Sequence, residues 1–144
     1  MSKFVNYNSA EYQVIKEVFK KIPMMDTYVA NIVEEYIYCN VKEYFDNGVI
    51  KNEYRTKYGY REGDYKMYDN KGKLWIQKTY VKNKLHGEYK EWYDDGKLCS
   101  EHTYVNGKKH GHSKYWSWKE GKLWKEEKYI NGELDFYKRY NVNF

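Results

Sequence analysis

Two periodicities divide the chain near residue 40. Before it, apolar residues recur at helical spacing: Val14, Ile15, Val18, Phe19 and Ile22 share a face, with Ser9 placed to cap the helix and Pro23 to stop it. Asp26 caps a second expected helix, whose stripe is Tyr28, Val29, Ile32, Val33, Tyr36 and Ile37. After residue 40 the spacing changes to two. Leu74–Val81, Leu98–Val105 and Leu123–Ile130 read as longer strands, and Tyr65–Tyr68, Tyr89–Tyr93 and Lys114–Trp118 as shorter ones.

These runs belong to an internal repeat. The segment that opens Gly72-Lys-Leu-Trp recurs from Gly96 and from Gly121, with a degenerate copy from Gly48, at spacings of 24, 24 and 25 residues. The ten glycines fall into three columns: Gly48, Gly72, Gly96 and Gly121; Gly59, Gly107 and Gly132, with Asn83 in the same column; and Gly63, Gly87 and Gly111. Gly and Asn are the residues that accept a left-handed backbone, so the columns mark turns. Asn47-Gly48 and Asp95-Gly96 read as hairpin loops. Each repeat is then one β-hairpin, and successive hairpins pair edge to edge into a nine-strand meander.

A two-residue loop at Asp95-Gly96 sets a register. It pairs Tyr93 with Leu98, Trp92 with Cys99 and Lys90 with Glu101; the preceding repeats give Asp69–Leu74, Tyr68–Trp75 and Lys66–Gln77, then Phe45–Ile50, Tyr44–Lys51 and Lys42–Glu53. Lys114 falls opposite Glu126 in the same way. One face thereby carries Tyr44, Tyr68, Trp92 and Trp116, with Trp75 and Trp124, beside Lys/Glu pairs. The other carries Ile50, Leu74, Leu98 and Leu123 with Tyr80, Tyr104 and Tyr129. Equivalent positions recur every second strand, about 9.6 Å apart. The residue extra in the third repeat would reverse every side chain beyond it unless absorbed, which places a β-bulge near Trp118.

The unit Gly-Lys-Leu-Trp…Thr-Tyr-Val-Lys-Asn-Lys-Leu-His-Gly-Glu-Tyr-Lys-Glu-Trp-Tyr resembles the variant form of the MORN repeat over about residues 41–142, most closely over 72–134. The resemblance implies a single-layer antiparallel sheet of repeats (41–144); with the helical pair read from the periodicity of residues 1–40, packed as a cap on the open end of the sheet or on its Leu/Tyr face, the expected fold is α+β, mainly β. The resemblance also implies a binding role, toward proteins or acidic lipids and often as a homodimer, in a family common in bacteria and large DNA viruses. The stretch Ile22-Pro23 to Tyr36-Ile37 resembles the core of an F-box, with a longer spacing between Pro23 and Asp26, which would make the chain a ubiquitin-ligase adaptor.

Composition changes this picture in three ways. A mean hydropathy of −1.09 with 33% charged residues would suggest disorder, but 19 Tyr, 5 Trp and 5 Phe supply rings that bury area while keeping a polar tip wet. Two cysteines, no apolar run of spanning length and no leader-like N-terminus point to a soluble protein of a reducing, intracellular compartment. The net charge of +5 concentrates after residue 40, where 22 Lys and Arg stand against 16 Asp and Glu.

Candidate chemistry follows from the columns. The two ring-bearing faces are the expected partner surfaces, for another protein and for a second copy of the chain. Lys66, Lys90 and Lys114 form a basic column which, with Lys108 and Lys109 at a turn tip, could hold phosphate of an anionic lipid or nucleic acid. Glu101 and Glu126 opposite that column would neutralise much of it. His86, Cys99, His102, His110 and His112 are close in sequence. However, Cys99 and His102 point to opposite sides of a strand, and His86 and His110 share a column with Glu62 and Asp135, so no metal is expected. No phosphate-cradling loop, nucleophile elbow or His-Glu-x-x-His is present, so neither enzyme activity nor a cofactor is expected.

Overall fold

The computed structural model describes residues 37–142. The two expected helices and the F-box-like stretch lie, apart from Ile37, outside the described residues. Within them, nine antiparallel strands follow one another in sequence order across one sheet: β1 (Tyr38–Tyr44), β2 (Ile50–Lys57), β3 (Tyr60–Tyr68), β4 (Leu74–Val81), β5 (Lys84–Trp92), β6 (Leu98–Val105), β7 (Lys108–Trp116), β8 (Leu123–Ile130) and β9 (Glu133–Arg139). No described helix is long and apolar enough to cross a membrane.

The glycine columns make two kinds of turn. The second column closes the tight ones. In Asn106-Gly107 both central residues have positive φ, 51° and 84°, and Val105 pairs with Lys108. That is a type I′ turn, whose twist matches the flanking strands. Lys82-Asn83 does the same without glycine, at φ 48° and 64°.

The first column makes longer loops than the sequence suggests. Gly96 N–H donates to Tyr93 O at 2.8 Å and Tyr93 N–H to Lys97 O at 2.9 Å, enclosing Asp94, Asp95 and Gly96: a three-residue type I turn ending in a left-handed glycine. Asp69 and Phe45 begin identical loops. Near the loops the expected pairings are therefore replaced by Trp92–Leu98, Tyr68–Leu74 and Tyr44–Ile50. A one-residue bulge then restores the register, so Lys90–Glu101, Lys66–Gln77, Lys42–Glu53 and Lys114–Glu126 pair as expected.

The bulge also moves side chains. Directly paired residues share a face, so Leu74, Leu98 and Leu123 stand with Tyr68, Trp92 and Trp116, not with Tyr80, Tyr104 and Tyr129. The extra residue of the third repeat does not form a strand bulge near Trp118. It lengthens the loop, where Ser117 N–H bonds Lys122 O and Gly121 N–H bonds Ser117 O, both at 2.8 Å.

The third glycine column lies inside strands, in wide bulges. His86, Gly87 and Glu88 together face Thr79, between the pairs Tyr80–Leu85 and Lys78–Tyr89. In β9 Phe136 replaces the column glycine, and the register shifts there by one residue only. The polar residue before each glycine holds the next hairpin: Lys82 N–H donates to Glu62 at 2.9 Å, Asn106 N–H to His86 Nδ1 at 3.4 Å, and Asn131 N–H to His110 Nδ1 at 3.4 Å.

Candidate interaction faces

On the face of Tyr80, Tyr104 and Tyr129, rings stack from strand to strand. Tyr54 and Tyr65 lie 4.9 Å apart and nearly parallel, and Tyr65 meets Tyr80 edge-on at 5.8 Å. Further along, His102 is 92% buried, 5.5 Å from the Tyr89 ring and 5.1 Å from that of Tyr115. The buried set here is more polar than apolar, with Ser100, Ser113 and Glu127 beside Tyr65, Ile76 and Tyr80.

Hydrogen bonds make that burial tolerable. Tyr115 and Tyr129 donate to Glu127 Oε2 at 2.9 and 3.1 Å, and Lys125 Nζ lies 3.2 Å from Glu127 Oε1. Tyr89 donates to Glu91, as does Ser100 at 3.0 Å. Burial would raise the Glu127 carboxyl, but bonds from Tyr115, Lys125 and Tyr129 hold it below the usual range. Burial and then Glu127 push the Tyr115 phenol up; burial lowers His102 to about 4, which keeps the imidazole neutral. Among the described residues, His102 Nδ1 and Ser113 Oγ have no hydrogen-bond partner.

Lys109 belongs to this cluster and not to an open turn tip. Its amine donates to Tyr115 Oη at 3.2 Å and lies 5.1 Å from the centre of the Tyr129 ring, where burial lowers its pKa. Trp124 is here too, 6.1 Å from Tyr115, with Lys125 Nζ at 5.4 Å and the Arg139 guanidinium at 5.8 Å over its ring.

The opposite face carries Tyr44, Tyr68, Trp92 and Trp116, and Tyr44 is 57% exposed. Tyr68 donates to Glu53 at 2.7 Å, a bond that pulls the Glu53 carboxyl down; burial and Glu53 push Tyr68 up to about 12. The basic column is paired. Lys66 lies 3.4 Å from Glu53, Lys90 2.7 Å from Glu88 and Lys114 3.7 Å from Glu101, leaving Lys108 as the exposed lysine of the five expected anion contacts.

Two grooves open on the sheet. One of about 840 Å³, bordered by Lys42, Glu53, Arg55, Asp64 and Lys66, carries both signs of charge. The other, about 510 Å³, is lined by Trp75, Trp92, Tyr93, Cys99 and Trp118, with Glu91, Asp94 and Asp95. It brings together Trp75 and Trp92, without Tyr44, Tyr68, Trp116 or Trp124. The sequence reading weighed His102 only as a metal ligand, which it set aside, and missed Ser113, Tyr115, Lys125 and Glu127. Alternation back from Tyr104 and Tyr129 would have found His102 and Glu127, two residues earlier in each strand.

No curated protein matches the chain. Solved structures similar to it include TarM, at 14% identity with a TM-score of 0.42, covering 86% of this chain. A mutant of S. aureus TarM in complex with fondaparinux, alpha-GlcNAc-glycerol and UDP is similar at 13% identity, with a TM-score of 0.42 over 85% of this chain. The chain spans about a quarter of each, 26%. The profile described as the MORN repeat variant matches residues 61–82 and 85–106, the β3–β4 hairpin and the hairpin that follows it. The chain carries the variant MORN repeat, in two adjacent matched copies within its nine-strand sheet.

Proposed function

We propose that this protein is a non-enzymatic scaffold that binds a protein partner through the rings of its sheet, and that it self-associates. The observation that carries the reading is exposure of large apolar side chains on a sheet whose interior strands are satisfied on both edges. Trp75 is 50% exposed, Trp118 57%, Leu134 55% and Tyr137 46%. Exposed Trp and Tyr on a rigid support supply contact area at low entropic cost, and contiguous exposed patches of this kind mark association surfaces. Tyr44, Tyr68, Trp92 and Trp116 are the proposed contacts on one side, with Leu74, Leu98 and Leu123 among them, and Trp75 contributes through the groove it shares with Trp92 and Trp118. Tyr104, Trp124 and Tyr129 serve the other side, where Tyr80 is buried against Tyr65.

The reading as a binder of anionic lipid or nucleic acid has less support. Lys66, Lys90 and Lys114 already hold carboxylates, and Lys109 lies against tyrosine rings.

Capture with the full chain from native extracts, repeated with a Tyr44→Ser/Trp75→Ser variant, tests the scaffold. A partner retained by the wild type and lost by the folded variant supports it; the absence of any selectively retained partner overturns it. Light scattering tests self-association against the 17.7 kDa chain mass, with twice that mass expected.

A further inference from the structure

Trp75 and Trp124 occupy the same position two repeats apart, and one lacks what the other has. Over Trp124 stand Lys125 and, opposite Lys125 on the next strand, Arg139. Around Trp75 the corresponding residues are Ile76 and its cross-strand partner Glu91. Among the described residues no cation lies over Trp75, Trp92 or Trp118, whereas such contacts cover Tyr38, Tyr65, Tyr115 and Tyr140 elsewhere in the sheet. A carboxylate therefore stands where the guanidinium stands in the equivalent copy.

Space and charge agree with that vacancy. Between Trp75 and Trp124 the column holds Cys99, too small to fill the place of an indole, and the 510 Å³ groove opens there. The longer third loop sets Trp118 on its rim. The ionisable side chains lining the groove include Glu91, Asp94 and Asp95, and no Lys or Arg. Two amines bond its rim: Lys73 Nζ donates to Asp94 O at 2.7 Å and lines a small adjoining pocket with Trp75 and Trp92, and Lys97 Nζ donates to Trp118 O at 3.3 Å while pairing with Asp95 at 2.9 Å.

We infer that this groove takes an arginine side chain from a basic segment of the partner protein, the guanidinium lying on the indole of Trp75 against Trp118 within the field of Glu91 and Asp94. The inference rests on the scaffold reading and names the partner chemistry of one part of its surface. Arginine fits better than lysine because its planar, weakly hydrated cation stacks on rings while keeping donors free at its edge. The chain itself uses Arg139 in this way at Trp124.

The test is a titration of the full chain, followed by tryptophan fluorescence and calorimetry, with the capped peptide Gly-Ser-Arg-Ser-Arg-Ser-Gly. Its twin carries citrulline, the neutral isostere, at both arginine positions. The arginine peptide should bind about tenfold more tightly than its twin, since one cation on a partly desolvated indole accounts for roughly that ratio. Trp118→Ala, a change in an exposed loop, should weaken it at least about fivefold. Cys99→Trp places the indole of Trp75 and Trp124 in their own column and should abolish binding with the strand signature in circular dichroism unchanged. Equal binding of the two peptides overturns the inference, as does binding that survives in both folded variants. Loss of anionic-vesicle binding or of dimer mass in those variants, without discrimination between the peptides, assigns the groove to a membrane or a second copy and overturns it equally. A partner captured by the wild type and lost by Tyr44→Ser/Trp75→Ser, together with equal peptide binding, would leave the scaffold standing and remove only the arginine.

Discussion

His102 is enclosed by Tyr89, Tyr104 and Tyr115 on one side of the sheet, with Lys109 and Lys125 opposing its charge and Glu91 and Glu127 favouring it. Burial dominates, so its folded pKa, about 4, lies below the ordinary 6.5. Between those values the unfolded chain holds a proton that the folded chain refuses, so stability falls as pH drops from 6.5 toward 4. Urea midpoints across this window should show a slope approaching one proton, and His102→Phe should flatten it; an unchanged slope in the variant would remove His102 as the cause. The carboxylates with lowered values, Glu53, Asp69, Asp95 and Glu127, act lower down, losing their contribution as pH falls through their folded pKa values beneath 4.5 and 3.8. Gly87 is the second single residue on which the sheet leans. It adopts φ +100° inside a strand, and an added Cβ would sit 3.5 Å from Thr79 Cβ, an ordinary contact, so backbone strain alone opposes a side chain there. Gly87→Ala should lower unfolding free energy by about 1–3 kcal/mol in a urea titration. A loss under 0.5 kcal/mol would mean that the bulge adapts, as it has around Phe136.

At the scale of the element, the loops decide what sequence alone can recover. The columns of Gly and aromatic residues were enough to foresee nine strands, the meander and the mid-strand pairs, because a period of two and a repeat of 24 survive any local choice of turn. Loop type was not foreseeable from Asp95-Gly96. The dipeptide suits both a two-residue turn and a type I turn closed by a left-handed glycine, and only the latter, with its compensating bulge, exchanges the faces of Leu98 and Cys99. The polar interior was equally hidden. Ser100, His102, Ser113 and Glu127 read as surface residues until the alternation is anchored on Tyr104 and Tyr129, and Trp118 gave no sign that it would border a groove. The third loop gives a direct check. Since residues 118–121 hold the extra residue outside the ladder, deleting Lys119 should shorten the loop to the length of its counterparts and leave β7–β8 pairing intact. Stability should change by less than about 1.5 kcal/mol, and His102 should keep its pH response. Wholesale unfolding, or a changed pattern of Tyr115 and Glu127 burial, would show that the residue sits in the strand after all.

Among the described residues, each strand of the sheet is hydrogen-bonded only to its sequence neighbours, and hydrogen bonds such as Asn47 to Asn70 O, Lys73 to Asp94 O and Lys97 to Trp118 O stitch one loop to the next. Stability in such an array is the sum of local units and nearest-neighbour interfaces, so it declines toward an open end. β9 has one neighbour, every one of its residues is exposed, and it lacks the glycine bulge of its equivalents. Its amides should therefore exchange with solvent through local opening, with less protection than those of β6, which is paired on both edges and buries Ser100 and His102. The same unpaired edge is what a second copy would use, since open strand edges bind other strands. Exchange measured at two protein concentrations separates the two cases. In the monomer β9 stays weakly protected at both. If copies pair through this edge, its protection rises with concentration while that of β6 does not. Uniform protection from β4 to β9, independent of concentration, would refute the nearest-neighbour description.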